Sequence, residues 1–403
     1  MKLRSPKLIS GLFVTAAVVG CSIVPGTNGE VTETAEGWRT QPPSMQSPTQ
    51  IAPPVAGQSP SAIPTLGPET RWSESAAEYS VLIELPSPEQ GHDLYLVSPR
   101  GESPKLVIGL ERTIVQPVSS PDGNWLALVA VEEGVLYGEN LELLSVEGGL
   151  LTDVVRDAAI LSLAWSPTGR SLGYTEILQS GVQQTSIYDL VTGETRAIFS
   201  GGPPGGWGLS GWVGEDRLLL THFLGGGLFY DQAALLDVDT GMLDSVYEDE
   251  SGQTGWIGVS PNGRLAIVVK WTSAGALYAD LLLLDLSTRD LTPLAEFAVG
   301  GPTFGTIPVW SPGSEQVAFT VSDRAPDGTL SASRVLSLNV TNRVLSVIVE
   351  VAYPPMLIRS LAWVSDTVLV VNNYGADQVL YSIHSDGSAQ KRMVSGRFLT
   401  TIP

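Results

Sequence analysis

A short motif recurring seven times at near-constant spacing, a second motif about 25 residues behind most copies, and no segment with sustained helical periodicity predict an all-β chain. The architecture they predict is a seven-bladed β-propeller of four-stranded antiparallel blades. It is preceded by a signal peptide and a disordered tether rich in Pro, Ser and Thr.

The first motif is clearest at Ala164-Trp165-Ser166-Pro167-Thr168-Gly169, and it returns at Ser119-Ser120-Pro121-Asp122-Gly123, Val259-Ser260-Pro261-Asn262-Gly263 and Trp310-Ser311-Pro312-Gly313. Weaker copies start at Trp72-Ser73, Trp212-Val213 and Trp363-Val364. With the serine or its equivalent as anchor, the copies stand at 73, 120, 166, 213, 260, 311 and 364, spaced 46 to 53 residues apart. Pro and Gly at these offsets mark a tight turn between two strands.

The second motif reads Tyr188-Asp189-Leu190-Val191-Thr192-Gly193, Leu236-Asp237-Val238-Asp239-Thr240-Gly241 and Leu284-Asp285-Leu286-Ser287-Thr288-Arg289. Each copy lies between short alternating or Leu-rich runs, the signature of a hairpin. One unit therefore reads strand, S-P-x-G turn, strand, longer loop, strand, x-T-G turn, strand. Asp189, Asp237 and Asp285 are read as turn formers on separate blades and not as a metal cluster. The five tryptophans Trp72, Trp165, Trp212, Trp310 and Trp363, each preceding an anchor, are read as packing between blades.

The Trp-Ser-Pro-x-Gly-x-x-[Leu/Ile]-Ala pattern resembles the β-propeller repeats of TolB-like periplasmic proteins over residues 72–403. It lacks the Gly-His and Trp-Asp elements of WD repeats. The resemblance implies a binding role in a cell-envelope assembly.

The N-terminus carries Lys2, Arg4 and Lys7, then an apolar run from Leu8 to Val19. About twelve apolar residues are too few to span a hydrocarbon core, which needs roughly 20, but they suit a signal-peptide core. The run ends at Val18-Val19-Gly20-Cys21, and Cys21 is the single cysteine. This resembles the lipobox of bacterial lipoproteins, which implies cleavage before Cys21 and acylation of that residue, including a palmitate-type chain. The expected organisation is therefore a signal peptide at 1–20, a lipidated cysteine and linker at 21–71, and the propeller at 72–403. Nine prolines between residues 22 and 71, with scattered apolar residues, give the linker its tether character.

Composition excludes several classes. A formal net charge of −20 opposes binding to nucleic acid. One cysteine leaves no intrachain disulfide and no multi-cysteine metal site. His92, His222 and His384 fall on separate blades without metal-ligand spacing, so neither a metal nor a cofactor is expected. Gly206-Trp207-Gly208-Leu209-Ser210-Gly211 matches G-x-G-x-x-G, yet a strand follows it instead of a helix, so the dinucleotide reading lacks its context.

Loops sort by face. The S-P-x-G and x-T-G turns share one face, and the middle loops and blade-to-blade connections share the other. The second face is expected to hold long aromatic segments, Thr221–Ala233, Lys270–Asp280 and Ser322–Ser333, with connections Gly201–Trp207, Asp249–Trp256 and Gly300–Gly305. Candidate ligand- or partner-binding residues there are Trp207, His222, Tyr230, Trp256, Trp271 and Tyr278. Tyr137, Tyr230 and Tyr278 follow their anchors by 17 to 18 residues, and both strand-start packing and a ligand-facing ring remain open for them.

The resulting expectation is a monomeric binding or scaffolding module, attached to the bacterial cell membrane or outer membrane by lipid, facing the periplasm or exterior and meeting a protein partner. The alternative is a propeller-type enzyme, a lactonase or glycan-active lyase or hydrolase, with its site at the central channel. Arg397-Phe398-Leu399-Thr400-Thr401-Ile402 is strand-like and otherwise unused, and is expected to pair into the first blade. Removing residues 396–403 should then lower the melting temperature sharply. An unchanged thermal melt would refute that pairing.

Overall fold

The computed structural model describes residues 80–402 apart from the short segments 87–91, 100–102, 111, 133–138, 202–204, 224–228, 273–277, 298–301, 326–328, 353–357, 374–377 and 388–389. Cys21, the tether, Trp72, Ser73 and Tyr137 lie outside the described residues. Among the described residues there are strands and turns and no helix, and no helix is long and apolar enough to cross a membrane.

All sheet pairings are antiparallel, and they follow the unit read from the repeats. Strands β1 (Val81–Pro86), β2 (His92–Val97) and β3 (Lys105–Leu110) come first, and β4 (Arg112–Ser119), β5 (Trp125–Glu132), β6 (Glu139–Ser145) and β7 (Leu151–Trp165) follow. Next are β8 (Ser171–Ile177), β9 (Gln183–Asp189) and β10 (Thr195–Gly201), then β11 (Gly206–Val213), β12 (Arg217–Phe223), β13 (Tyr230–Asp237) and β14 (Leu243–Glu248). The chain continues through β15 (Thr254–Val259), β16 (Leu265–Trp271), β17 (Ala279–Asp285) and β18 (Leu291–Glu296). Two short pieces, β19 (Thr303–Phe304) and β20 (Val309–Trp310), precede β21 (Gln316–Arg324), β22 (Leu330–Asn339) and β23 (Leu345–Ala352). The last are β24 (Ile358–Ser365), β25 (Val368–Asn373), β26 (Val379–His384), β27 (Gln390–Ser395) and β28 (Arg397–Thr401).

Each repeat contributes one antiparallel set, for example β11-β12-β13-β14. The first set is completed from the other end of the chain, because β28 pairs β1 with Val81 opposite Thr401 and Glu84 opposite Arg397. β7 serves two sets: its first half pairs β6 up to Ala158 and its second half pairs β8 from Ala159 onward. Asp157 sits at that changeover with φ 52°, a left-handed kink that lets one strand turn from one sheet to the next.

The turn chemistry explains the motifs. Ser120, Ser166, Ser260 and Ser311 are buried, and their hydroxyls accept the N–H that opens the following strand, from Trp125 at 3.0 Å, Ser171 at 3.3 Å, Leu265 at 3.0 Å and Gln316 at 3.2 Å. Gly123, Gly169 and Gly263 take φ near 70° in the same turn, a conformation that costs a side chain about 1 kcal/mol or more. In the Ser311 copy the same position, three residues after the anchor, is held by Ser314 with φ 63° in place of glycine. At the second motif, Asp189 Oδ1 accepts the N–H groups of Val191 (2.9 Å) and Thr192 (2.8 Å), and Asp237, Asp285 and Asn339 repeat the arrangement. These aspartates are turn formers.

The core lies between adjacent sets. Ile198, Leu209, Trp212, Leu218 and Leu236 form one such layer, and Val81, Ile83, Val97, Val370 and Leu380 join the last set to the first. The inner strands are also bolted together. The indole N–H of Trp165 donates to the Val118 carbonyl (3.0 Å), Trp212 to Ala164 (2.9 Å), Trp310 to Gly258 (3.0 Å) and Trp363 to Val309 (3.1 Å). In every case the acceptor is the carbonyl two residues before the preceding anchor. Where the motif has Ser119 in place of tryptophan, its hydroxyl donates to the Thr401 carbonyl at 2.8 Å.

A Trp212→Phe variant keeps most of the apolar contact but leaves the Ala164 carbonyl unpaired. It is expected to lose about 1–2 kcal/mol in urea unfolding, and Trp212→Ala about 3–5 kcal/mol. Unchanged stability in Trp212→Phe would show that the hydrogen bond contributes nothing.

Candidate functional site

At the end of the domain opposite the tight turns, inner strands begin, second strands end and third strands begin. On β11–β13 that geometry gathers a polar and aromatic group. Trp207, the second residue of β11, stands opposite His222 near the end of β12, and their ring centroids are 5.0 Å apart at a tilt of 54°. The register between β12 and β13 slips here: His222 faces Gln232 while Phe223 faces Tyr230. Asp231 is the extra residue of this bulge, and a bulge re-aims the side chain it carries. The Asp231 carboxylate is directed back at His222, with Oδ1 2.6 Å from Nδ1.

The neighbouring set closes the other side. Gln183, at the start of β9, accepts the Trp207 N–H through Oε1 at 2.6 Å, and Phe199 meets the Trp207 ring edge-on at 6.2 Å. Two glycines make the approach possible. A Cβ on Gly201 would lie 2.8 Å from Trp207 Cδ1, and one on Gly205 would lie 2.6 Å from His222 Nε2. Gly205 also has φ 85°, so both space and backbone geometry call for glycine. Gly206–Val213 is a strand followed by a strand, so the G-x-G-x-x-G run is part of a sheet ladder.

The group continues onto the next set. The Asp249 N–H donates to the Asp231 carbonyl at 2.7 Å. The Asp249 carboxylate, almost wholly buried, accepts Lys270 Nζ at 2.9 Å, Ser251 Oγ at 2.6 Å, the Gln253 N–H at 2.9 Å and Thr254 Oγ1 at 2.9 Å. Burial works to raise its pKa, but these four donors together hold it well below the usual carboxylate range. Two carboxyls nearby go the other way. Burial pushes Glu176 up, against a hydrogen bond from Gln184, and pushes Asp280 up with help from Glu296 opposite it, against Lys270. Burial also raises the Tyr230 hydroxyl.

Of the six residues singled out from the sequence, the structure brings Trp207 and His222 together. Tyr230 is half-buried beside them, opposite Phe223 on one side and Thr254 on the other. Trp256 and Trp271 instead pack on the core layer between β15–β18 and β19–β23: Trp256 covers Gly258, and Trp271 covers Gly255 and meets Phe304 edge-on at 5.8 Å. Tyr278 is half-buried just before β17, and its carbonyl accepts the Thr272 N–H at 3.0 Å. The segments expected as long loops are shorter, because Thr221–Phe223, Tyr230–Ala233, Lys270–Trp271 and Ala279–Asp280 continue the ladders of β12, β13, β16 and β17.

Asp231, Gln183, Asp249 and Lys270 had no motif to mark them. Their roles depend on a register slip and on contacts between repeats. Among the described residues no three His, Cys, Asp or Glu side chains converge as a metal-binding group. What the arrangement offers is an oriented imidazole, the carboxylate that orients it, and a half-buried indole.

Because the folded state lowers the Asp249 pKa, its stabilisation is present at neutral pH and is lost as acid approaches the folded-state value. Asp249→Asn should therefore cost on the order of 1–3 kcal/mol near neutral pH. The gap from wild type should narrow below about pH 3. A gap independent of pH in chemical denaturation would contradict the assignment.

No family model matches the chain, and no curated relative matches it. Solved structures do. An oligogalacturonate lyase in complex with manganese superposes with TM-score 0.57 at 13% identity, over 79% of this chain and 85% of that one. The β-propeller domain of the Trilobed protease from Pyrococcus furiosus gives 0.56 at 13% identity, over 79% and 99%. TolB from Acinetobacter baumannii gives 0.48 at 14% identity, over 80% of this chain, which spans 66% of the TolB chain's length. At such identities the likeness is one of fold, and with the strand pairing above the chain has the β-propeller fold.

Proposed function

We propose that this protein is a lipid-anchored, extracytoplasmic binding module. A seven-bladed propeller, tethered through Cys21, presents the Trp207–His222–Asp231 end to a protein partner of the cell envelope. The observation that carries the reading is the bulge at Asp231. There the re-aimed carboxylate, the close-approach glycines and a His–carboxylate pair beside an indole coincide at one place. Binding groups held on a rigid frame at its loop-bearing end are the usual way such scaffolds engage partners. The apolar run ending at Gly20-Cys21 supports attachment by lipid, with the −20 charge leaving no polybasic attraction to anionic headgroups.

The enzyme reading has one observation in its favour. An imidazole oriented by a carboxylate is the arrangement of an activated base, which suits a lactonase or a glycan-active lyase or hydrolase.

Three experiments test these readings. Cys21→Ala should move the protein from the membrane to the soluble fraction, and unchanged fractionation would remove the lipid anchor. Crosslinking on intact membranes should recover a partner with wild type and lose about 90% of it with Trp207→Ala/Asp231→Ala, at unaltered thermal stability. Turnover of a lactone or glycan panel that disappears in His222→Gln would instead establish the enzyme.

A further inference from the structure

The strand that completes the first set comes from the other end of the described chain. β28 has five residues, its ladder to β1 carries a bulge between Leu82 and Ile83 as those of β4, β7 and β11 do, and Ser119 stands at its junction with β4 where four other junctions have Trp165, Trp212, Trp310 and Trp363. Its far end is secured by Glu84. This side chain on β1 is only 7% exposed, and its Oε2 accepts Arg397 Nη1 of β28 at 2.8 Å. Its Oε1 is bonded to His92 Nδ1 on β2, and His92 Nε2 lies 3.2 Å from Thr113 Oγ1 on β4. One buried carboxylate thus ties together β28, β1 and β2 and, through His92, the next set.

A second buried carboxylate lies in the same seam. Glu142 on β6 has no exposed surface, is bonded through Oε1 to Arg112, the residue before Thr113, and has no hydrogen-bond partner at Oε2 among the described residues. Asp153 stands opposite Glu142 and is paired with Arg156. A buried carboxylate therefore stands in each of the first two sets, Glu84 tied to β28 and Glu142 to the start of β4.

We propose that Glu84 is an ionic latch on β28: with the latch made the terminal strand stays in the first sheet, and with it broken β28 detaches locally while the rest of the propeller remains folded. Removing one partner of a buried pair is costly because the other charge is left uncompensated. Here that cost falls on a short end strand, the kind of element that opens independently of the core. At the other end of β28 the Ile402 N–H to the Ser80 carbonyl (2.7 Å), the Ser119 hydroxyl, the pairing of Thr400 and Thr401 with Leu82 and Val81, and the burial of Ile402 oppose release.

The test is hydrogen exchange on the full chain, comparing wild type with Glu84→Gln and Arg397→Gln. Exchange in peptides covering 397–402 and 81–86 should rise by about tenfold or more in both variants, with peptides from β12 and β13 unchanged. The double variant should exchange no faster than the faster single one, since neither charge is then left alone. Arg397→Gln alters a partly exposed side chain and retains a readout should Glu84→Gln fold poorly. Unchanged exchange at 397–402 in Arg397→Gln, or a rise shared equally by β12 and β13, would overturn the latch.

Discussion

One hydrogen bond, repeated around the propeller, organises the domain. The indole N–H donated from Trp165, Trp212, Trp310 and Trp363 to the carbonyl of the preceding inner strand fixes both the distance and the offset between neighbouring sets. The same rings fill the apolar layers between sets, so a directional bond and non-directional burial act on one residue. A layer of aliphatic residues alone would tolerate sliding of one sheet over the next. The bonded indole restricts that freedom and so holds the connection end, with its bulge and glycines, in a constant geometry.

Most of the scaffold was legible because it repeats. A serine whose hydroxyl must accept the next strand's first N–H, a glycine at φ near 70°, and an aspartate that bonds two backbone N–H groups are local requirements that leave local traces. The tryptophans could be assigned to packing for the same reason, since residues at equivalent places in several repeats serve the repeat. What escaped the sequence depends on register or on neighbours. Asp231 faces His222 because β13 carries one residue more than β12 can pair, and no composition rule marks that slip. Lys270 meets Asp249 only because consecutive sets stand side by side. Ser314 holding the left-handed turn position shows that the turn geometry persists where the glycine itself is absent.

The candidate site and the scaffold use aromatics for different ends. Trp256 and Trp271, placed with Trp207 by sequence, are drawn into the layer containing Phe297, Phe304 and Phe319, whose rings pack mutually at 5.4–5.9 Å. Trp207 instead sits between Phe199 and His222, with a glutamine on its backbone N–H. The difference is legible only in contacts: tryptophan at an inner-strand start can serve either purpose, and its neighbours decide. The polar network from Gln183 through Trp207, His222, Asp231 and Asp249 to Lys270 crosses two boundaries between sets, so a ligand held there would meet a surface built by three consecutive repeats.

The pairing of β28 with β1 also sets a schedule for biosynthesis. Val81 and its partner Thr401 lie at opposite ends of the folded chain, so β1 leaves the exit tunnel long before the strand that covers its edge has been made. Until then the nascent protein displays an unpaired edge beside the apolar residues Val81, Leu82 and Ile83. An emerging chain in that condition is open to pairing with other chains. The interval is longest for this strand because every other set draws its members from neighbouring residues. Folding of the domain is therefore completed at its seam, and the last strand to arrive protects the first.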